Sequence, residues 1–300
     1  MANFCRELIT DRQVEAFVDS ILCIHDNDDK RAAINRIANA ERNMRDYYKY
    51  PTLTHSDYRD FQFKRDSDRV DLRERIVQEL FENTRLMNDD DIVIGQGGAA
   101  PRTKVQYEGK VFYIIGPPAA AKSGIANTIA DKFGCYILDS DYAKRKLPEY
   151  MNQIGGASLV HDESQELIFG TEGLFLRHCL KNKANLVIPK IGHNMHSVLS
   201  YCEALREKGY TKVYLVCVDL DRQKATQRAY QRFVETNRYV PLSLVFDNYG
   251  NQPALTYYKL KQIEHPAIDG YALISTDVPR GQPARLVDVK NMDFLKGLWR

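Results

Sequence analysis

The apolar run Val111-Phe-Tyr-Ile-Ile115 leads without a break into Gly116-Pro-Pro-Ala-Ala-Ala121-Lys122-Ser123, and an amphipathic stretch at 123–132 follows at once. A buried strand, an eight-residue turn and a helix are thereby laid out in order. A turn that ends in Lys-Ser at a helix N-terminus is the setting in which a phosphate loop works. Backbone N–H groups and the helix end cradle the phosphates, the lysine neutralises the β and γ oxygens, and the hydroxyl holds Mg²⁺. The candidate ATP-binding residues are therefore Gly116, Pro117, Pro118, Ala119, Ala120, Ala121, Lys122, Ser123 and Gly124, with Lys122 as the phosphate cation and Ser123 as the magnesium ligand. Ala121 stands where a second glycine is expected and adds a Cβ near the phosphate path. On the residues alone, a small-residue turn with an incidental Lys-Ser is the alternative.

Further apolar runs of strand length lie at 135–138, 185–188, 212–218 and 271–275, and helical patterns at 164–181, 195–208 and 221–236 separate them. Strands alternating with helices predict an α/β fold, a doubly wound and mostly parallel sheet, and the phosphate-loop turn after its first strand makes it P-loop in type. Upstream, residues 1 to about 90 read as helical. Leu8, Val14, Phe17, Val18, Ile21 and Leu22 recur at spacings of three and four, as do Ala33, Ile34, Ile37 and Ala40. A third helix is predicted over 71–85 from Leu72, Ile76, Leu80 and Thr84 behind an Asp-rich start. The clusters Asp26-Asn27-Asp28-Asp29 and Asp89-Asp90-Asp91 lack the Gly and closing Glu of a calcium loop and read as solvated turns. Gly95-Gln96-Gly97-Gly98 breaks the periodicity. This predicts an N-terminal helical region at 1–94, with regulation as one reading of it, and an α/β domain at 95–300.

The chain has 300 residues, about twice a usual domain of roughly 150. Lys and Arg number 42 against 40 Asp and Glu, a net charge of +2, so no global field drives it onto nucleic acid or an anionic membrane. Neither is expected as a partner. The six cysteines form no CxxC pair and read as buried thiols in a reducing compartment. The start, MANFCRELITDR, lacks the apolar stretch of a signal peptide, and the longest uncharged run, 111–121, is too short to span a bilayer. A cytoplasmic location is expected.

After the second strand the chain reads Leu138-Asp139-Ser140-Asp141-Tyr142-Ala143-Lys144-Arg145-Lys146-Leu147-Pro148-Glu149-Tyr150. With the phosphate loop upstream, this resembles the zeta-toxin family of P-loop kinases, whose second strand runs into Asp-x-Asp, a basic residue three further on, and Pro followed by an acid and an aromatic. Thr171-Glu172, the strand at 185–188, Gly209-Tyr210 and Arg238-Tyr-Val-Pro241 follow in the family's order. The resemblance covers about residues 105 to 245. It implies an enzyme that uses ATP with Mg²⁺ to phosphorylate the sugar of UDP-N-acetylglucosamine or a related UDP-sugar. It also implies that Asp141 is the general base and that Glu172 contacts the substrate. On spacing alone, Asp139, Ser140 and Asp141 are equally able to cap a helix, Lys144 and Arg145 read as solvated helix charges, and Glu172 is one more acid on an amphipathic helix.

The helix after Asp221 carries Lys224, Arg228 and Arg232 on one stripe, with Arg238 just beyond. A charge row is otherwise a solvated face. With the family pattern, Arg228 or Arg232 together with Arg238 are the guanidinium groups for the γ-phosphate, since they stay charged and grip phosphate oxygens in pairs. One departure concerns the acceptor. The best-known zeta toxins carry Glu-Gly-Thr directly after the third strand, and this chain has Pro189-Lys190-Ile191. Lys190 then reads as a contact for the diphosphate of a UDP-sugar, or the acceptor is another nucleotide-linked compound. In His161-Asp162-Glu163-Ser164 the Ser or Asp caps a helix, and His161 facing the acceptor, together with Lys144, is the substrate-binding reading. His193 and His196 have no Cys or acidic partner at metal-ligand spacing. Two rival readings stand beside the kinase: a self-inhibited or antitoxin-fused protein whose residues 1 to 90 block the kinase site, and a nucleotide-binding pseudoenzyme.

Overall fold

In the computed structural model, the described residues are 6–47, 49–151, 155–170, 174–279 and 281–299. The chain begins with helices α1 (Asp11–Phe17), α2 (Asn27–Tyr47) and α3 (Asp66–Glu82). Strand β1 (Lys110–Ile115), helix α4 (Lys122–Phe133), strand β2 (Tyr136–Ile137) and helices α5 (Ser140–Lys146), α6 (Gly156–Leu159), α7 (His161–Phe169) and α8 (Leu174–Asn182) follow. The remainder runs β3 (Leu186–Pro189), α9 (Met195–Glu207), β4 (Lys212–Asp219), α10 (Arg222–Thr236), α11 (Gln252–Ile263), β5 (Gly270–Ser275) and β6 (Arg285–Lys290). Two units are distinguished: Ala99–Asp139 with Leu176–Ala225 and Tyr249–Arg300, and Met1–Gly98 with Ser140–Phe175 and Thr226–Asn248.

The first of these holds the sheet, in the order β2-β3-β1-β4-β5-β6. All pairs are parallel except β5 with β6. The α/β, mostly parallel architecture expected from the alternation of apolar runs is the one observed. The residues of β1 from Val111 to Ile115 and those of β4 from Val213 to Val218 are buried, which is what runs without polar alternation require. Asn185, expected to be a strand residue, is instead a buried clamp before β3. Its Oδ1 accepts from the N–H groups of Glu108 and Lys110, both at 3.1 Å, and its Nδ2 donates to the Phe133 carbonyl at 2.9 Å. Helix α4 packs on β1, β2 and β3, while α9 and α11 pack on β4.

Two elements had no clear pattern in the sequence. Strand β6 has only exposed and half-buried positions and pairs on one side only, so its residues carry little apolar bias. Helix α11 buries Pro253, Thr256, Tyr257 and Leu260, a stripe partly polar in composition. The single helix expected over 164–181 is two helices, because Gly170 is extended (φ −63°, ψ 167°) and its N–H closes α7 on the Glu166 carbonyl.

The other unit is helical. Thr10 and Gln13 form a capping box at α1, and Cys23, in the left-handed conformation, ends the turn that continues it. The apolar faces read from the sequence are buried: Val14, Phe17, Val18, Ile21 and Leu22, then Ala33, Ile37 and Ala40. Helix α3 starts at Asp66, not Asp71, and ends at Glu82, with Leu72, Ile76 and Leu80 buried and Thr84 exposed beyond it. Asp66 and Asp68 in its first turn favour that earlier start. Cys135, Cys179, Cys202 and Cys217 are buried, whereas Cys23 is exposed. Among the described residues no helix is long and apolar enough to cross a membrane.

Candidate active site

The phosphate-loop sequence joins β1 to α4. Gly116 is buried, its N–H donates to the Ile191 carbonyl at 3.0 Å, and a Cβ there would lie 2.5 Å from the Val218 carbonyl oxygen. Only glycine fits. Ala119 and Ala121 both take left-handed conformations, at φ +60° and +57°. Such a conformation costs a residue with a Cβ about 1–2 kcal/mol, so the missing glycine at 121 is replaced in geometry at an energetic cost. Alternation of left- and right-handed residues is the backbone form that gathers amides into an anion-binding concavity. The Lys122 ammonium donates to the carbonyls of Gly116 at 2.8 Å and Pro117 at 2.7 Å, and the Thr276 hydroxyl donates to the Ala120 carbonyl at 3.1 Å. Pro118 is half-buried, while Ser123 and Gly124 are exposed in the first turn of α4, where a Cβ on Gly124 would meet nothing within 4 Å.

This donor set fits a nucleoside triphosphate: a glycine-gated turn, a lysine held within it and a hydroxyl at a helix N-terminus. It also fits Mg²⁺, which takes few protein ligands and keeps phosphates and waters as the rest. Ser123 is the hydroxyl that would serve it. In the same unit, burial, followed by the charges of Asp221 and Asp277, pushes the carboxyl of Asp219 at the end of β4 up. Lys190 follows β3, with its N–H on the Ile114 carbonyl at 2.8 Å and a half-buried side chain. Gly192, at φ +70°, lies so close to Ile115 that a Cβ would come 2.3 Å from Cγ2. The Pro189-Lys190-Ile191 turn thus packs on the entry to the phosphate loop.

The acidic and basic residues of the family pattern gather in the helical unit. Asp141 lies in the first turn of α5 and is a quarter exposed. Lys144 donates to its Oδ1 at 2.9 Å and Arg238 to its Oδ2. Burial pushes this carboxyl up, but Arg238, Lys144 and Arg145 together hold it well below the usual carboxylate range. Arg145 is buried and donates to Asp90 at 2.6 Å, and Arg238 lies 3.8 Å from the same oxygen. Arg232 is half-buried. Its Nε is buried without a hydrogen-bond partner among the described residues, and burial, then Arg238, pushes its pKa down to about 10.

The basic stripe of α10 is divided. Lys224 pairs with Asp277 at 2.7 Å, whereas Arg232 belongs with Arg238, Asp141 and Asp90; Arg228 is half-buried between them along the helix. His161 is exposed at the start of α7. Neither Asp162 nor Ser164 serves as the cap: Val160 precedes the helix with no side-chain cap, Ser164 donates back to the His161 carbonyl at 2.7 Å, and Glu163 is buried against Arg69. Glu172, with Thr171, lies outside the described residues. Among those described, no group of three or more His, Cys, Asp or Glu could hold a metal ion.

Three features escaped the sequence reading. Asp90 is not part of a merely solvated turn, and Arg145 is not a solvated helix charge, because the two pair with each other. Arg69 is fully buried between Glu149, at 2.8 Å, and Glu163, at 2.6 Å, and the Thr52 hydroxyl donates to Glu163 at 2.6 Å. The absence of apolar periodicity at Arg69 was the available signal, and it does not say which acids would meet the charge.

A family model described as zeta toxin matches residues 99–256. The chain is similar in fold to a structure from the PezAT chromosomal toxin-antitoxin system of Streptococcus pneumoniae, at 16% identity, with 81% of this chain and 90% of that one covered and a TM-score of 0.52. It is also similar to a structure of the AvrRxo1-ORF1:-ORF2 complex with ATP, at 18% identity, covering 79% of this chain and 74% of that one, with a TM-score of 0.50. A search of curated proteins finds no match.

Proposed function

The chain belongs to the zeta-toxin family, and on that premise we propose that it is an ATP- and Mg²⁺-dependent phosphotransferase acting on the sugar of a UDP-activated sugar akin to UDP-N-acetylglucosamine. The observation that carries this reading is the Lys122 ammonium held by the Gly116 and Pro117 carbonyls in a strand-loop-helix turn. An ATP-bound relative of the same fold supports the choice of donor.

Phosphoryl transfer asks a protein for positioning and for positive charge rather than for covalent chemistry. In this reading Lys122 balances the β- and γ-phosphates, and Ser123 holds Mg²⁺, which when bound adds charge at the same oxygens. The acceptor hydroxyl oxygen bonds to the γ-phosphorus as the bond to the β–γ bridging oxygen breaks, and ADP leaves. The hydroxyl proton passes to Asp141, a carboxylate whose cationic neighbours keep it ionised. Arg232 and Arg238, with Arg228 on the same helix, meet the phosphoryl charge, and Lys144, Lys190, His161 and Glu172 face the acceptor.

A cytoplasmic enzyme fits a reaction that consumes ATP and a UDP-sugar. Because one relative comes from a toxin-antitoxin system and another is a two-component complex, an antitoxin protein is the proposed macromolecular partner. The test is a screen of the full-length protein with γ-labelled ATP and Mg²⁺ against UDP-N-acetylglucosamine, other UDP-sugars and further nucleotide-linked metabolites. A labelled phosphosugar nucleotide is the expected product. Label transferred only to a compound without a UDP group would overturn the acceptor, and no turnover of ATP in any reaction would leave the pseudoenzyme reading.

A further inference from the structure

Asp90 lies outside the stretch covered by the family model, 99–256, yet its carboxylate joins the groups around Asp141. Its Oδ1 accepts from Arg145 at 2.6 Å and is 3.8 Å from Arg238. Both arginines act on Asp141: Arg238 donates to it, and Arg145 adds to the positive charge that keeps it ionised. The Asp90 turn is itself fixed. The Asn88 side chain accepts from the Asp90 N–H at 3.2 Å and donates to Asp91 at 3.1 Å, and Ile92 beyond it is buried. A second tie lies one residue along α5, where the buried Lys146 donates to Glu79 at 2.7 Å and to the carbonyls of Val93 at 2.9 Å and Gln96 at 3.2 Å.

Arg145, Arg232 and Arg238 are like charges in a partly desolvated cluster, where their repulsion is poorly screened. Facing Asp141 alone, they would compete for its two oxygens with one another and with Lys144. Asp90 engages Arg145 and approaches Arg238, so that Asp141 keeps Lys144 on one oxygen and Arg238 on the other.

We infer that Asp90, supplied by the N-terminal region, is a positioning residue for phosphoryl transfer, holding Arg145 and Arg238 in place around Asp141. The inference rests on the phosphotransferase reading above, and it gives the N-terminal region a supporting role rather than a blocking one.

The test uses the full-length protein with UDP-N-acetylglucosamine and γ-labelled ATP with Mg²⁺, counting label passed to the sugar and to water. Asp90→Asn keeps the shape of the side chain and removes its charge. It is expected to lower kcat roughly 10- to 100-fold with the KM for ATP within about twofold and the thermal midpoint near the parental value. Asp90→Glu is expected to restore part of the rate, and Asp91→Asn, in the same turn, to match the parent. A parental kcat in Asp90→Asn overturns the inference and leaves the function standing. So does a kcat above the parent's, which would mark a blocking contact, or a lowered rate that follows a lowered midpoint and is not rescued by Glu. If the parent passes label to neither sugar nor water, the phosphotransferase reading falls and the inference with it.

Discussion

Arg238 donates to the carboxylate of Asp141 across 97 positions of sequence. A carboxylate so paired, with Lys144 on its other oxygen, stays ionised at any pH near neutrality, the form in which a general base acts.

Asp141→Asn keeps the volume and the hydrogen-bonding oxygen but cannot accept a proton. The transfer rate is expected to fall by roughly 10²–10⁴ while ATP binding persists, as single-turnover rates and nucleotide titration would show. The pH dependence has a definite sign. Because Asp141 is held below the ordinary carboxylate range of about 4, the acid limb of kcat should lie below that value, with no loss between pH 5 and 7. Arg238→Gln removes the largest stabilising charge and should move the limb upward. A parental rate in Asp141→Asn would make the residue purely structural.

Lys122→Ala removes the cation held by the phosphate-loop carbonyls of Gly116 and Pro117. ATP-dependent transfer is expected to vanish without loss of the fold, since the lysine's bonds to the Gly116 and Pro117 carbonyls lie in the loop itself. Circular dichroism and a transfer assay on the same preparation check both halves, and full activity would remove the phosphate loop from the mechanism.

The sheet was legible in the sequence because β1 and β4 are buried on both faces, and continuous apolar runs have few other uses. Lys122 was legible for a similar reason: strand, turn and helix constrain one another locally. Asp90 and Arg145 were not, because a charge pair separated by 55 positions leaves no periodic trace, and each member alone looks like solvated surface. Arg69 buried against Glu149 and Glu163 is the same case, 80 and 94 positions apart. Local chemistry is written in adjacent residues, whereas a charge network becomes visible only when the fold brings its members together.

Glu163→Gln tests that buried network. Burial pushes the Glu163 carboxyl up, but Arg69 and the Thr52 hydroxyl bring it below its ordinary value. Its pairing is then a stabilising contribution present above the unfolded-state pKa of about 4.3 and lost as pH falls through the lower folded-state value. At pH 7 the variant is expected to lose about 2–4 kcal/mol, because Arg69 stays buried with half of its compensation gone. Urea unfolding at pH 7 and again below pH 4 should show the gap between variant and parent narrowing on acidification. An equal gap at both values would mean that packing, rather than charge, accounts for the loss.

The division of the α10 stripe makes the basic helix testable against a bland role as a solvated face. Arg238→Lys keeps the charge but loses the planar fork that reaches Asp141, so a residue serving only solubility would tolerate it and a phosphate-facing one would not. Arg232 is set apart from Lys224, which is occupied by Asp277, by the lowered pKa and unpartnered Nε that an incoming anion would relieve. Arg222→Ala, exposed and off the stripe, is the internal control and should transfer phosphate at the parental rate. Arg238→Lys and Arg232→Ala, with Arg228→Ala beside them, are expected to lower the transfer rate at an unchanged thermal midpoint, Arg232→Ala by roughly tenfold or more. If all four variants match the parent in rate and stability, α10 plays no part in the chemistry, and the charge for the γ-phosphate must come from elsewhere, with Lys190 the first residue to replace.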